Sequence, residues 1–252
     1  MKLGKLDYVS DPRTLMLSEF VKPDISLPSA YDTDQYRRNF PNESWGSNEY
    51  KDCVLAARAN AQLRLERIEQ RRTLPITDEI VIDFYKKLTG CKMPGDKKDT
   101  GLSILPVLKQ WKKAGWEIGE RNYKIWAFGE LEPQDHRQLM FGCYLLTGVH
   151  FGFALPKAIE NVLDWNYSGQ TTPEWKAGSL GGHCAFGHAY STRGFTVMTG
   201  GRICQVNWEF IDKFCDEAWS VISYHDSWRI KQTFDVAKLE EALHNISQSA
   251  TQ

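Results

Sequence analysis

The sequence predicts an α+β fold of two unlike lobes, and three features carry that prediction. Helix-period segments with recognisable caps fill the first half. Period-two apolar alternation between tight turns fills the second. The change falls near residue 147, where a glycine follows the last helical pattern. One domain over 1–252 is expected, with a mainly helical lobe at 25–147 and a mainly β lobe at 148–223. Residues 1–24 are expected to form an extended arm, and 224–252 a tail that contains a helix.

Residues 1–50 are dense in Pro, Asp, Ser and Asn, which favour turns over long helices. A stretch this long needs a task, such as lying across the body of the domain. Asp52 then opens the run CVLAARANAQLRLERIEQ. Asp is a good N-cap, and Ala57, Ala61, Leu65 and Ile68 recur near helical spacing. Arg64, Glu66, Arg67 and Glu69 predict a more solvated second half. A second helix is predicted from Thr77 to Leu88, capped by Thr77 and followed by Gly90. A third is predicted from Ser103 to Ala114, ahead of Gly115, and a fourth from Gln134 to Leu146, ahead of Gly148.

Beyond that point Val149, Phe151, Phe153 and Leu155 alternate as on a strand. A Trp- and Gly-rich loop leads to HCAFGHAY, a turn at 191–194 and FTVMT, which predict two strands around a short turn. RICQVNW and AWSVIS predict further β structure. The segment VAKLEEALHNI predicts an amphipathic helix near the end.

Composition bounds the function. With 42% hydrophobic and 25% charged residues the chain is an ordinary globular one. Its 31 Lys+Arg against 32 Asp+Glu, without long runs of one sign, give no nucleic-acid or acidic-membrane signature. The polar start lacks a signal-peptide core, and no long apolar run exists to span a membrane. A cytoplasmic protein, or one released by lysis, is expected. The cysteines at 53, 91, 143, 184, 204 and 215 form no CxxC pair and are expected to be reduced. No metal or cofactor is expected, because His183, His188, Cys184 and Cys204 show no paired-ligand spacing.

A thiol nucleophile needs a stabilised thiolate and a base within reach. Cys53 lies in the first turn of a predicted helix, where unpaired N–H groups and the helix dipole favour an anion. His183 begins a predicted strand after Gly181 and Gly182. On a strand His183, Ala185 and Gly187 share one face, while Cys184, Phe186 and His188 share the other, so His188 should not serve the same pocket. His183 follows Cys53 by 130 residues. Each residue also has a plainer reading: Cys53 as a small core side chain, His183 as a satisfied strand residue.

The order of these segments resembles the papain-like cysteine peptidases, in which His and Asn follow Cys by roughly 130–150 residues. ISLPSAYD, SNEYKDCVLAARANA, GLSILPVLKQWKKAGW, GGHCAFGHAYSTRGFTVMTGG and NWEFIDKFCDEAWSVIS resemble successive landmarks of that family. The resemblance spans roughly residues 25 to 223 and is strongest to a compact bacterial and phage-encoded branch. It implies a Cys53–His183 dyad hydrolysing a peptide or isopeptide bond, with a peptide or protein as partner. The sequence also departs from the family. KDCVLA replaces the usual CGSCW, and Asp52 sets a carboxylate beside the thiol. The usual oxyanion-hole Gln is missing, leaving Asn48 as a substitute amide. The usual Asn before Ser-Trp-Gly is replaced by Met198-Thr199-Gly200-Gly201, leaving Thr199 as the orienting group, with Asn207 more distant. These departures keep a second reading open, a papain-fold structural or binding protein such as a phage-particle component with assembly partners.

Overall fold

A computed structural model of the chain describes residues 2–35, 40–41, 43–224 and 227–249. Within the irregular first 50 residues, positions 1, 36–39 and 42 lie outside this description. So do 225–226 and 250–252 of the expected tail.

The helical half contains α1 (Cys53–Glu69), α2 (Asp78–Thr89) and α3 (Ile104–Lys113). Thr77 caps α2 by accepting a hydrogen bond from the Ile80 N–H, and Gly90 ends it in the left-handed conformation. The strand half is one antiparallel sheet. In chain order its strands are β1 (Tyr31–Asp32), β4 (Ala127–Leu131), β5 (Val149–Leu155), β6 (Gly181–Ser191), β7 (Gly194–Thr199), β8 (Arg202–Asn207) and β9 (Cys215–Ile222). They lie in the order β4-β9-β5-β6-β7-β8, with β1 also paired to β6. A separate ribbon joins β2 (Trp116–Ile118) to β3 (Arg121–Tyr123). Helices α4 (His136–Leu146), α5 (Trp208–Phe214), α6 (Ser227–Thr233) and α7 (Val236–Ser249) complete the described chain. The α+β class and the antiparallel second half are as the sequence predicts.

Two apolar cores share the sheet. On β6 and β9, Ala185, Ala218 and Ile222 enter one core, while Cys184, Phe186, Trp219 and Val221 enter the other. This is the period-two alternation of a sheet buried on both faces. The first core also takes Leu139, Phe141, Leu145 and Leu146 of α4, so this helix packs with the strand half. Helix α4 has the apolar stripe of any core helix, and the stripe does not specify which core receives it.

Helix α1 also departs from expectation. It is buried from Cys53 through Glu66, including Arg58 and Arg64. It runs between β6 and helices α2 and α3, so it has no solvent face over that length. Arg64 is satisfied by a two-point pair with Asp34, at 2.9 and 2.6 Å, and lies over the Phe40 and Phe186 rings. The Arg58 guanidinium stacks among Phe84, Trp111 and Trp116 and donates to Gln110.

The irregular first segment crosses the body. Residues 2–6 run between the two halves, Met16 lies beside β4, Val21 pairs with Phe234 and β1 extends β6.

Candidate active site

Helix α1 starts at Cys53 because the carbonyl of Asp52 accepts the Leu55 and Ala56 N–H groups. Asp52 does not cap with its side chain, contrary to the sequence expectation. Its carboxyl is fully buried with no hydrogen-bond partner among the described residues. Burial raises its pKa to about 8, so near neutral pH it sits mainly protonated beside the thiol. The feared carboxylate next to Cys53 is largely a neutral acid.

Cys53 Sγ lies against β6, where the Cys184 N–H donates to it at 3.4 Å. The Gly4 N–H also points to it. His183 precedes Cys184, and its Nε2 is 2.6 Å from Thr199 Oγ1. Thr199 ends β7, held there by the tight turn at Gly200 and Gly201, whose φ values of 53° and 77° suit glycine. The Nδ1 of His183 has no hydrogen-bond partner among the described residues. Trp165 meets the His183 ring edge-on at 6.2 Å between centroids and is itself fully buried.

The other expected groups lie elsewhere. Asn48 is exposed in the turn before Cys53. Asn207 caps α5 and bonds the Tyr167 backbone, so it is used in holding the loop rather than the imidazole. His188 lies toward the far end of α1, 3.3 Å from Asp34, the partner of Arg64, and 3.5 Å from Asp32. Asp32, Asp34 and His188 could jointly approach a cation, although Asp34 already serves Arg64. All six cysteines are buried and unpaired.

What covers Cys53 and His183 is the N-terminal strap, residues 2–6. The Lys2 N–H donates to Ser47 O (2.7 Å) and the Leu102 N–H to Gly4 O (2.8 Å). The Lys5 N–H donates to Gly182 O (3.1 Å) and the Leu6 N–H to Leu102 O (3.0 Å). The strap is thus an extended peptide hydrogen-bonded to the helical half on one side and to the His strand on the other. The fit depends on missing side chains. A Cβ on Gly4 would run into the Lys51 carbonyl, and one on Gly182 into the Lys5 carbonyl. No local pattern marks Gly181 and Gly182 for this task, and composition alone makes residues 1–50 a segment that lies across the body.

Under the strap both reactive groups are neutral. Burial pushes the Cys53 thiol up to about 11, against the opposing N–H groups of Cys184 and Gly4. Burial pushes His183 down to about 3, with the positive charge of Arg202 adding to it. No hydrogen bond joins the two side chains among the described residues. The arrangement is a covered thiol held by the β6 backbone and an imidazole oriented by Thr199.

No protein-family model matches the chain. No curated protein matches it in sequence either. Solved structures do match. Xylellain, a cysteine protease from Xylella fastidiosa, aligns over 88% of this chain and 96% of its own, with TM-score 0.67 and 17% identity. The Carica candamarcensis cysteine protease CMS1MS2 aligns over 78% and 99%, with TM-score 0.57 and 10% identity. Digestive procathepsin L 3 of Tenebrio molitor aligns over 87% and 75%, with TM-score 0.56 and 9% identity. At these identities the likeness establishes architecture, and the fold of this chain is that of the papain-like cysteine proteases.

Proposed function

We propose that the protein is a latent cysteine peptidase or amidase whose N-terminal strap covers a Cys53–His183 dyad. The observation that carries this reading is the 2.6 Å contact of His183 Nε2 with Thr199. In this reading Nε2 carries the proton toward the hydroxyl and Nδ1 keeps the lone pair, while the thiol sits at a helix N-terminus against the next residue of the same strand.

In this reading the strap leaves, water enters and both pKa values relax toward each other. His183 Nδ1 takes the thiol proton. Cys53 Sγ attacks the carbonyl carbon of the bound amide, and the oxyanion collects N–H groups at the start of α1. Collapse breaks the C–N bond, and His183 returns the proton to the leaving amine. Water then attacks the thioester with His183 as base, releasing the acid and the free thiol. Trp165 shields the ring from the far side, and Thr199 holds its orientation. A transferase outcome needs only an amine in place of water. The substrate is a peptide or protein, because the strap itself shows the groove binding an extended backbone on both edges.

The test is cleavage of a quenched-fluorescence peptide library by a strap-opened chain, Gly4→Val, with Gly4→Val/Cys53→Ala as control. Cys53-dependent cleavage supports the reading. A second reading, a structural or binding module such as a phage-particle component, is favoured by the neutral, unbonded Cys53–His183 pair and the exposed Asn48. Absence of cleavage, together with alkylation of Cys53 no faster than a free thiol, would select it.

A further inference from the structure

Lys5 is an unusual strap residue, since its side chain is 1% exposed although the strap is held by little more than backbone bonds. It descends into a socket at the β5–β9 seam. There the register shifts, so that Gly152 faces Glu217 while Phe153 faces Cys215, and Asp216 is left out of the pairing. The bulge turns two consecutive carboxylates toward one point. Gly152 makes the room, since a Cβ there would strike both Glu217 Cγ and Lys5 Cε.

Nζ donates to Asp216 Oδ2 at 3.0 Å and to the Leu6 carbonyl at 3.2 Å, and it pairs in charge with Glu217 Oε1 at 3.1 Å. Glu217 is itself oriented, because its Oε2 accepts the Trp219 indole N–H at 2.7 Å. Glu217 is 1% exposed, so the socket sits on rigid sheet and persists when the strap moves. An empty socket would hold two carboxylates, one of them deeply buried, without a cation. Leaving such a charge unpaired is costly, so the vacancy favours another basic side chain.

We propose that Asp216, Glu217 and Gly152 form a specificity socket. It binds the lysine or arginine side chain of an extended peptide lying in the groove, next to the residue held over Cys53, and Lys5 is its internal occupant. This rests on the peptidase reading for the word substrate, but the binding itself does not need catalysis. The strap thereby competes with basic peptides for one site and is displaced by them by mass action.

The test uses the full chain with Lys5→Ala, which removes the equivalent of n-propylammonium from the socket. Thermal melting is followed with tens of millimolar n-propylammonium or 1-propanol. The expected result is a rise of about 2 °C with the ammonium only, absent in wild type and in Lys5→Ala/Glu217→Gln. An equal response to the alcohol, or none to either, overturns the proposal. In parallel, two peptidyl chloromethyl ketones differing only in lysine or norleucine next to the warhead residue are reacted with the strap-opened Gly4→Val/Lys5→Ala chain. The lysine probe should label Cys53 at least tenfold faster, and Glu217→Gln should erase the difference. Equal rates overturn the specificity role. Ammonium rescue without labelling by either probe or by iodoacetamide would sink the peptidase reading while leaving the socket as a binding site for basic peptides.

Discussion

Replacing Gly4 by valine should open the site. A Cβ at position 4 would collide with the main chain of Lys51, which cannot move without disturbing the start of α1. The strap must therefore lift. In the native chain the hydrogen bonds of Lys2, Gly4, Lys5 and Leu6 hold it. At ~1 kcal/mol each they contribute roughly 4 kcal/mol, a closed-to-open ratio on the order of 10³. The entropy lost on ordering the strap and the burial of Leu3 and Lys5 act in opposite directions on that figure. Alkylation of Cys53 by iodoacetamide should accordingly be about 10²–10³ times faster in Gly4→Val than in wild type. Mass spectrometry resolves the site, and the other five cysteines serve as internal controls because all are buried. The rate also gains from the thiol, since burial alone holds it up to about 11 in the closed state. An unchanged Cys53 rate in a folded Gly4→Val chain would refute the strap as the cover.

Other outcomes follow from the same contacts. Thr199→Val in the opened chain should lower Cys53 reactivity about tenfold, the value of one lost orienting hydrogen bond, while Thr199→Asn should restore most of it, measured as alkylation rate against pH. Asp52→Asn should stabilise the protein by a few kcal/mol above pH 8 and have little effect near pH 4, read from melting temperatures. The sign follows from a folded pKa raised to about 8: the folded chain keeps a proton that the unfolded chain loses above about pH 4, so wild-type stability falls as pH rises through that window. Arg58→Met should cost no more than about 1 kcal/mol by denaturant unfolding, because desolvation of the guanidinium offsets much of its stacking on three rings.

The parts of the site set by local rules were legible in the sequence. A helix start at Cys53, a strand through His183 and a strand end at Thr199 need only helical spacing, alternation and paired glycines, although the strand begins earlier, at Gly181, and Asp52 does not cap the helix. The alternation of β6 holds in the folded sheet, but it is the face of Cys184 and Phe186, not that of Ala185, that packs with Cys53. What depends on which surfaces meet was not legible. Arg64 and Glu66 look solvent-facing by composition, yet α1 is enclosed by sheet and helices, and Arg64 is retained by Asp34 from the distant first segment. Asp52 looks like a cap but points into a closed space beside Gly46. The strap and its socket combine residues 4–5, 101–102, 152, 182 and 216–217, and no local pattern joins positions so far apart. A glycine at 4 and a glycine pair at 181–182 were the traces it left.

The proposed peptidase requires that Cys53 and His183 act as a pair once uncovered. The measurement that tests it most directly is the pH profile of Cys53 alkylation in Gly4→Val and in Gly4→Val/His183→Ala, from pH 5 to 9. A working pair gives fast labelling that persists below pH 7 and falls at least tenfold when the imidazole is removed. A single rise near the pKa of a free thiol, about 8.5, identical in both chains, would contradict it.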